Sequence, residues 1–462
     1  MSSSLSRSAL VRAEVRVTGA LASIFALRMF GLFMLLPVFA VYGAGLPGAT
    51  PFLIGLAVGA YGLMQALLQL PLGMLSDRIG RRRIIVAGLV LFVLGGVLAA
   101  LSESIYGVIF GRAIQGAGAI SAAVMALVAD VVSDQHRTRA MAGIGMSVGA
   151  AFLLALILGP ALAAWAGLSG LFWLSALFGV GAILVALVWV PDPQLRTREP
   201  ALPLGERLLR IGRDPMLWRL NVGIFVLHMV LTAMFVVVPG LLREQVGLPL
   251  ARHSLLYLAV LVASIGVMVP LIIASERRGL RPVKQLAILL VGVAMVMLAL
   301  AGQTLWHYAL ALFVFFAGFN LLEALLPSLV GRAAPAGTRG TALGIYATTQ
   351  FMGVFIGGAL GGLLLQHTGP ATVFWCAATL CLVWFVLVLG MPAPVKSDSR
   401  VLDVGKVASP EQVAERLLAV EGVLEAVVLP DTGLALLKVD TARLDQAALD
   451  DEARLAGVAG GA

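Results

Sequence analysis

Twelve long apolar runs constrain this chain more than any other feature. They lie near 17–43, 52–75, 84–101, 105–130, 139–164, 169–190, 217–241, 250–275, 284–301, 307–331, 340–366 and 370–391. Each is close to or above the roughly 20 residues a helix needs to cross a bilayer core. Lipid offers backbone N–H and C=O groups no partner, so every run is predicted to be a helix. None shows the period-two alternation of a membrane β-barrel. Composition excludes a soluble domain: 60% of the 462 residues are hydrophobic, 12% are charged, and mean hydropathy is +1.01. The first run is too long for a cleaved signal sequence, and no small-residue cleavage site follows it.

Arginine and lysine set the orientation. They concentrate in the loops after even-numbered spans, with Arg78, Arg81, Arg82 and Arg83 in the first of these. The loops on the other side hold only Arg243 and Arg252. Both termini are therefore predicted to be cytoplasmic. The pI near 10.0 reflects this distribution, so nucleic acid is not an expected partner. Cys376 and Cys381 both fall in the last run without metal-ligand spacing, and neither metal nor other cofactor is expected. There is no phosphate-binding loop, nucleophile elbow or catalytic triad pattern, so the chain is not expected to be an enzyme.

The loop after the second run reads Ser76-Asp77-Arg78-Ile79-Gly80-Arg81-Arg82, and Ser275-Glu276-Arg277-Arg278-Gly279-Leu280-Arg281 repeats it 199 residues later. Leu158-Gly159-Pro160-Ala161-Leu162 resembles Ile356-Gly357-Gly358-Ala359-Leu360 at an offset of 198. Two echoes at nearly one offset predict a duplicated six-helix unit, and both copies begin on the same side, so the repeats are parallel. The expected plan is an N-terminal bundle (1–190), a basic, proline-rich linker (191–216), a C-terminal bundle (217–392) and a tail (396–462).

Twelve helices in two parallel halves resemble the major facilitator superfamily. The same loop resembles that family's signature, G-x-L-x-D-R-x-G-R-R/K, filled here by Gly73, Leu75, Asp77, Arg78, Gly80, Arg81 and Arg82. The resemblance implies that Asp77 faces the positive end of the eleventh helix. It also implies that Asp77, Arg78 and Arg81 join Asp130, at the end of the fourth, in a charge cluster that latches the cytoplasmic gate. Gly73 and Gly80 would let helices approach closely. The segment FNLLEALLPSLVGRAAPAGTRGTALGIYATTQFMGVFIGGALGG, with Ala26-Leu27-Arg28-Met29-Phe30 in the first span, resembles bacterial inner-membrane members grouped with drug/proton antiporters.

Charged groups at membrane depth are costly and mark function. Arg28, Arg112, His228, Asn320 and Glu323 fall in spans one, four, seven and ten, which in the resembled family line a central cavity. Gly111-Arg112-Ala113-Ile114-Gln115-Gly116 resembles a fourth-helix motif, R-x-x-Q-G, linked to proton coupling. Glu323 is the only acid well inside a span; it could exchange a proton, attract a cation or pair with Arg28. His228 titrates in the useful range. Each also admits a packing role. Gly159-Pro160 matches part of an antiporter motif in the fifth helix, with Ala155 and Ala163-Ala164 at other glycine positions. Gly353, Gly357 and Gly361 have the spacing of a helix-packing face.

The tail holds 12 of the 24 acidic residues and seven Lys/Arg. Its pattern reads strand (400–404), helix (409–420), strand (423–429), turn (430–433), strand (434–439), helix (about 444–453), a βαββα order resembling a small ferredoxin-like module. Its charge would let it dock on the basic face of the membrane part. The resemblance implies an alternating-access transporter in the bacterial inner membrane that exports a small molecule, drug-like ones included, against protons. A symporter or uniporter, and a sensor signalling through the tail, remain open.

Overall fold

The computed structural model describes residues 2–191, 203–391, 397–405, 409–430 and 432–459. Its helices are α1 (Ser2–Phe33), α2 (Phe39–Gly43), α3 (Pro51–Ile79), α4 (Arg81–Leu101), α5 (Ile105–Ala117), α6 (Ser121–Val131), α7 (Asp134–Trp189), α8 (Leu204–Arg213), α9 (Pro215–Glu244), α10 (Leu250–Arg278), α11 (Leu280–Ala299), α12 (Leu305–Ala333), α13 (Arg339–Thr368) and α14 (Pro370–Leu389). Among the described residues, eleven stretches are long and apolar enough to cross a membrane. One of them, Arg139–Trp189, has 51 residues, or about 77 Å at 1.5 Å per residue, more than twice the bilayer core.

That stretch doubles back at Gly167, whose φ of 67° and ψ of −174° break α7. Contacts with α1 show the reversal. Before the break, Ser147 donates to the Ala22 carbonyl and Gly159 packs on Met34, so the two helices run together. After it, Ser175 meets Gly31 and Gly181 meets Leu27, so they run opposed. The fifth and sixth apolar runs are thus the two arms of α7. Two other runs are broken: the first turns at 34–38 before α2, and the fourth unwinds at 118–120 between α5 and α6.

The two echoed loops adopt matching geometry. Gly80 and Gly279 have φ of 106° and 89° and each starts the next helix. Only glycine takes this backbone without strain. Arg82 donates to the carbonyl of Leu187, and Arg281 to that of Leu389, so each arginine caps the last long helix of its own half. Such caps satisfy carbonyls that a helix end leaves unpaired.

The halves meet where α3 runs antiparallel to α13. A Cβ on Gly55 would lie 2.0 Å from the Gly358 carbonyl oxygen, and one on Gly358 2.4 Å from that of Gly55. A Cβ on Gly59, Gly62 or Gly362 would lie 2.8, 2.7 or 2.3 Å from the carbonyl oxygen of Phe355, Phe351 or Pro51. Gly353, Gly357 and Gly361 lie on another face of α13 and press on Phe225, Met229 and Ala233 of α9. One helix therefore carries two glycine faces, one toward each half. α7 also packs on α10.

Between the halves, residues 192–202 lie outside the described residues. The rest of the expected linker is not irregular: it holds α8, with Glu206 and Arg210 paired at 2.7 Å and i,i+4 spacing. Its Ile211 is buried, and Arg207 donates to Thr341 on α13 at 3.2 Å.

The tail forms β1 (Ser397–Asp403), α15 (Pro410–Ala419), β2 (Val423–Leu429), β3 (Leu434–Asp440) and α16 (Gln446–Ala459), the order expected. β1 starts three residues earlier than the pattern suggested, and α16 runs six residues further. Asp431, in the expected turn, lies outside the described residues. The antiparallel sheet has order β1-β3-β2. Strand alternation divides β3 between two faces. Ala435, Leu437 and Val439 join Val413, Leu417 and Leu449 in a small core. Leu436 points the other way, onto Ala336 and Gly337 in the loop between α12 and α13. Lys438 donates to the Ala333 carbonyl at 3.0 Å, Ser397 to that of Arg332 at 3.1 Å, and the Ala336 amide donates to Glu425 at 2.8 Å. The tail therefore docks through the second face of its sheet. Charge adds an Arg339–Asp398 contact of 3.8 Å.

Candidate functional site

A cavity of about 200 Å³ lies between the halves, walled by α1, α3, α5, α6, α7, α9 and α13. Phenylalanine, leucine, methionine and valine make most of its surface. Its polar groups fall into two sets, one per half.

In the N-terminal half, Tyr61 sits between two arginines. The guanidinium carbons of Arg28 and Arg112 lie 5.9 and 5.0 Å from its ring centroid. Arg28 is wholly buried and donates to the Tyr61 hydroxyl at 2.8 Å and to the Gly118 carbonyl at 2.9 Å. That carbonyl stands where the fourth span unwinds. Non-helical backbone at membrane depth needs such a partner. Arg112 donates to Gln115 at 2.9 Å and, at 3.4 Å, to the Ala57 carbonyl. Gln115 in turn donates to Ser175 at 3.0 Å. The R-x-x-Q spacing puts arginine and glutamine on one helix face, where the amide fixes the guanidinium. Gln65 spans Tyr61 and the Gly116 carbonyl at 3.2 and 3.0 Å.

In the C-terminal half, His228 lies one helical turn before Thr232 on α9. Its Nδ1–H donates to the Ile224 carbonyl at 3.3 Å, and its Nε2 accepts from the Gln350 amide at 2.7 Å. A neutral ring with its proton on Nδ1 satisfies both contacts. Glu323 Oε1 lies 3.5 Å from the same Nε2, enclosed and without a hydrogen bond. A proton arriving at Nε2 would turn that nitrogen from acceptor to donor and redirect it from Gln350 toward Glu323.

The loop cluster assembles around Arg81, which pairs with Asp77 one turn earlier. It also donates to Asp130 at 3.0 Å and to Ser76 at 2.7 Å. Arg78 is exposed at the end of α3. A Cβ on Gly73 would lie 2.8 Å from that of Ala122, so α3 and α6 touch there. Arg81→Ala leaves two carboxylates without this partner. It is expected to lower stability by about 1–2 kcal/mol, a range discounted for partial exposure. Unfolding in detergent measures this; an unchanged midpoint would count against the cluster as a tie.

Asn320 turns from the cavity and donates to Ser264 on α10 at 3.2 Å. Arg28 is committed to Tyr61 and Gly118, so the expected Arg28–Glu323 pair is not made. Gly159 packs on Met34, and the neighbouring Ala163 carbonyl accepts from Tyr42 at 2.8 Å; Pro160 is buried in the same arm. Tyr61, Gln65, Ser121, Thr232 and Gln350 were not singled out from the sequence, whereas Gln115 was quoted there as part of the R-x-x-Q-G motif. The available signal was uncharged polarity inside apolar runs, such as Gln350 closing Thr348-Thr349-Gln350. The eleventh span lines the cavity through Gln350 and Phe351; the tenth contributes Glu323 from behind His228.

Comparison with known proteins agrees with this architecture. The inner membrane transport protein YajR of Escherichia coli strain K12 is 42% identical over 93% of this chain and 95% of its own length. The quinolone resistance protein NorA of Staphylococcus aureus strain MSSA476 is 24% identical over 78% of the chain and 92% of its own. The crystal structure of a D-xylose-proton symporter superposes with a TM-score of 0.64 at 15% identity, covering 82% of this chain and 98% of that one, which speaks to fold alone. The family model described as Major Facilitator Superfamily matches residues 21–357 and 274–429. This multi-pass membrane chain belongs to the Major Facilitator Superfamily, a family of transporters and not of enzymes.

Proposed function

We propose that the chain is a secondary active transporter that crosses the membrane twelve times as two six-helix repeats and exports a small molecule against proton entry. The cavity is the cargo site, and Glu323 with His228 carries the proton. The face bearing the tail is cytoplasmic, and the Arg81 cluster works as a latch on that side. One observation supports the reading above others: a histidine on the wall of a cavity enclosed by both halves has, 3.5 Å from its Nε2, a carboxylate oxygen that makes no hydrogen bond. Proton occupancy there changes the charge of one half without changing the other. It biases two arrangements of the halves differently, as coupling requires. The quinolone resistance named for NorA supports export as the direction.

Dye efflux from cells overexpressing the chain, with and without a protonophore, tests this. The expected result is efflux that stops when the proton gradient collapses. Efflux that survives the protonophore would remove the coupling and leave facilitated transport. Proton-driven uptake would reverse the direction to symport.

A further inference from the structure

The wall formed by the N-terminal half carries more positive charge than its surroundings neutralise. Arg28 and Arg112 flank one tyrosine, and among the described residues neither has a carboxylate within 4.0 Å. Their partners are neutral: a phenol, two backbone carbonyls and an amide. Arg28 has two further nitrogens, Nε and Nη1, buried without any partner. Arg112 faces the cavity with Nη1 and Nε engaged, and its Nη2 makes no hydrogen bond to the described residues. Glu323, the acid at this depth, lies beside His228 in the other half.

Buried cations are ordinarily paired, because removing a charge from water without a counter-ion is costly. Here the counter-charge is missing at the wall of a cavity, so an incoming anion would supply it. Guanidinium groups suit carboxylates because their planar donors match two oxygens. Phe25, Phe33, Phe351 and Val354 line other parts of the cavity and offer apolar surface to the remainder of such a ligand. Its volume of about 200 Å³ is below the 300–1,000 Å³ typical of drug-sized ligands. It suits a single ring or a short branched chain.

We infer that the cargo is a small amphipathic monoanion, an aromatic carboxylate, held by its carboxylate at Arg112 with its ring among the cavity phenylalanines. This rests on the transport reading above and narrows it. The charge at Arg112 and Arg28 repels organic cations from the same position. Arg28 acts as a positioning residue: it holds the Tyr61 hydroxyl and adds positive potential without lining the cavity.

Binding of radiolabelled benzoate to the purified full chain in lipid nanodiscs tests the inference. Saturable binding is expected, displaced by phenylacetate and not by benzamide or benzylamine at the same concentration. Arg112→Gln should weaken binding at least about tenfold, as loss of a charge-assisted pair would. Arg112→Lys should keep the preference for anions at reduced affinity. If the glutamine variant fails to fold, the lysine variant carries the test through that preference. Absence of saturable benzoate binding, displacement by benzylamine, or unchanged affinity in Arg112→Gln would each overturn the inference. Benzoate that binds but does not cross proteoliposome membranes would overturn the transport reading and leave the ligand class standing. Flux of neutral or cationic probes without benzoate binding would do the reverse.

Discussion

Glu323→Gln is expected to abolish proton-driven net flux, at least about tenfold, while leaving cargo exchange within about twofold of the parent. Glutamine has nearly the shape of the protonated acid and keeps the position beside His228. It holds one protonation-like state permanently, so the gradient no longer selects between arrangements of the halves. A tenfold loss corresponds to only about 1.4 kcal/mol of differential bias, well inside the range that coupled sites supply. Exchange needs no net proton movement and should continue through the same cavity. Proteoliposomes read both quantities: flux driven by an imposed pH step, and exchange of labelled for unlabelled cargo at equal pH. Net flux that persists in the variant would move coupling away from Glu323.

The second large effect is expected at the contact between halves. Gly358→Leu places side-chain atoms where the Gly55 carbonyl now sits, since even a Cβ would lie 2.4 Å from it. Overpacking a formed contact costs typically about 1–3 kcal/mol when the structure can yield, and more when backbone must move. Here yielding means separating α3 from α13 on the face opposite the tail. Flux should fall to background, and a cysteine replacing Phe351 in the cavity should become at least about tenfold more reactive to a membrane-impermeant thiol reagent from that side. Gly353→Leu provides the contrast. It strikes Phe225 on α9 within the same half, so it should reduce thermal stability without opening the cavity. Equal behaviour of the two variants would remove the distinction between the two glycine faces.

Much of this molecule was legible because lipid restricts backbone so severely. Apolar length alone marked the runs that the structure builds as long helices, and two echoes at nearly one offset suggested how to group them. The reversal at Gly167 falls in the gap between the fifth and sixth runs, so it was legible. The unwinding at Gly118 was not: it is one glycine among 52 inside a continuous apolar run, and nothing local separates it from a packing glycine. Arg28, Arg112, His228 and Glu323 stood out because charge at membrane depth needs a reason. Tyr61 and Gln350 did not, since amides and phenols are tolerated in helices that bury them against anything polar. Asn320 shows the remaining limit: a sequence gives the span of a residue more readily than the neighbour it faces. It shares α12 with Glu323 but reaches Ser264 on α10. α8 was hidden by its proline-rich, charged surroundings, although Glu206 and Arg210 carried helical spacing.

The paired caps have a consequence for how such a chain is made. Arg82 reaches Leu187, and Arg281 reaches Leu389, so the third crossing of each half is tied to its sixth. Each half is tied to itself by a contact that does not involve the other. A nascent N-terminal half can complete its own circuit while its sibling is still being synthesised, and the order of insertion need not be the order of docking. What joins the two holds α8, which buries Ile211 and reaches Thr341 through Arg207, so the connection is anchored to the C-terminal half while it tethers that half to the other.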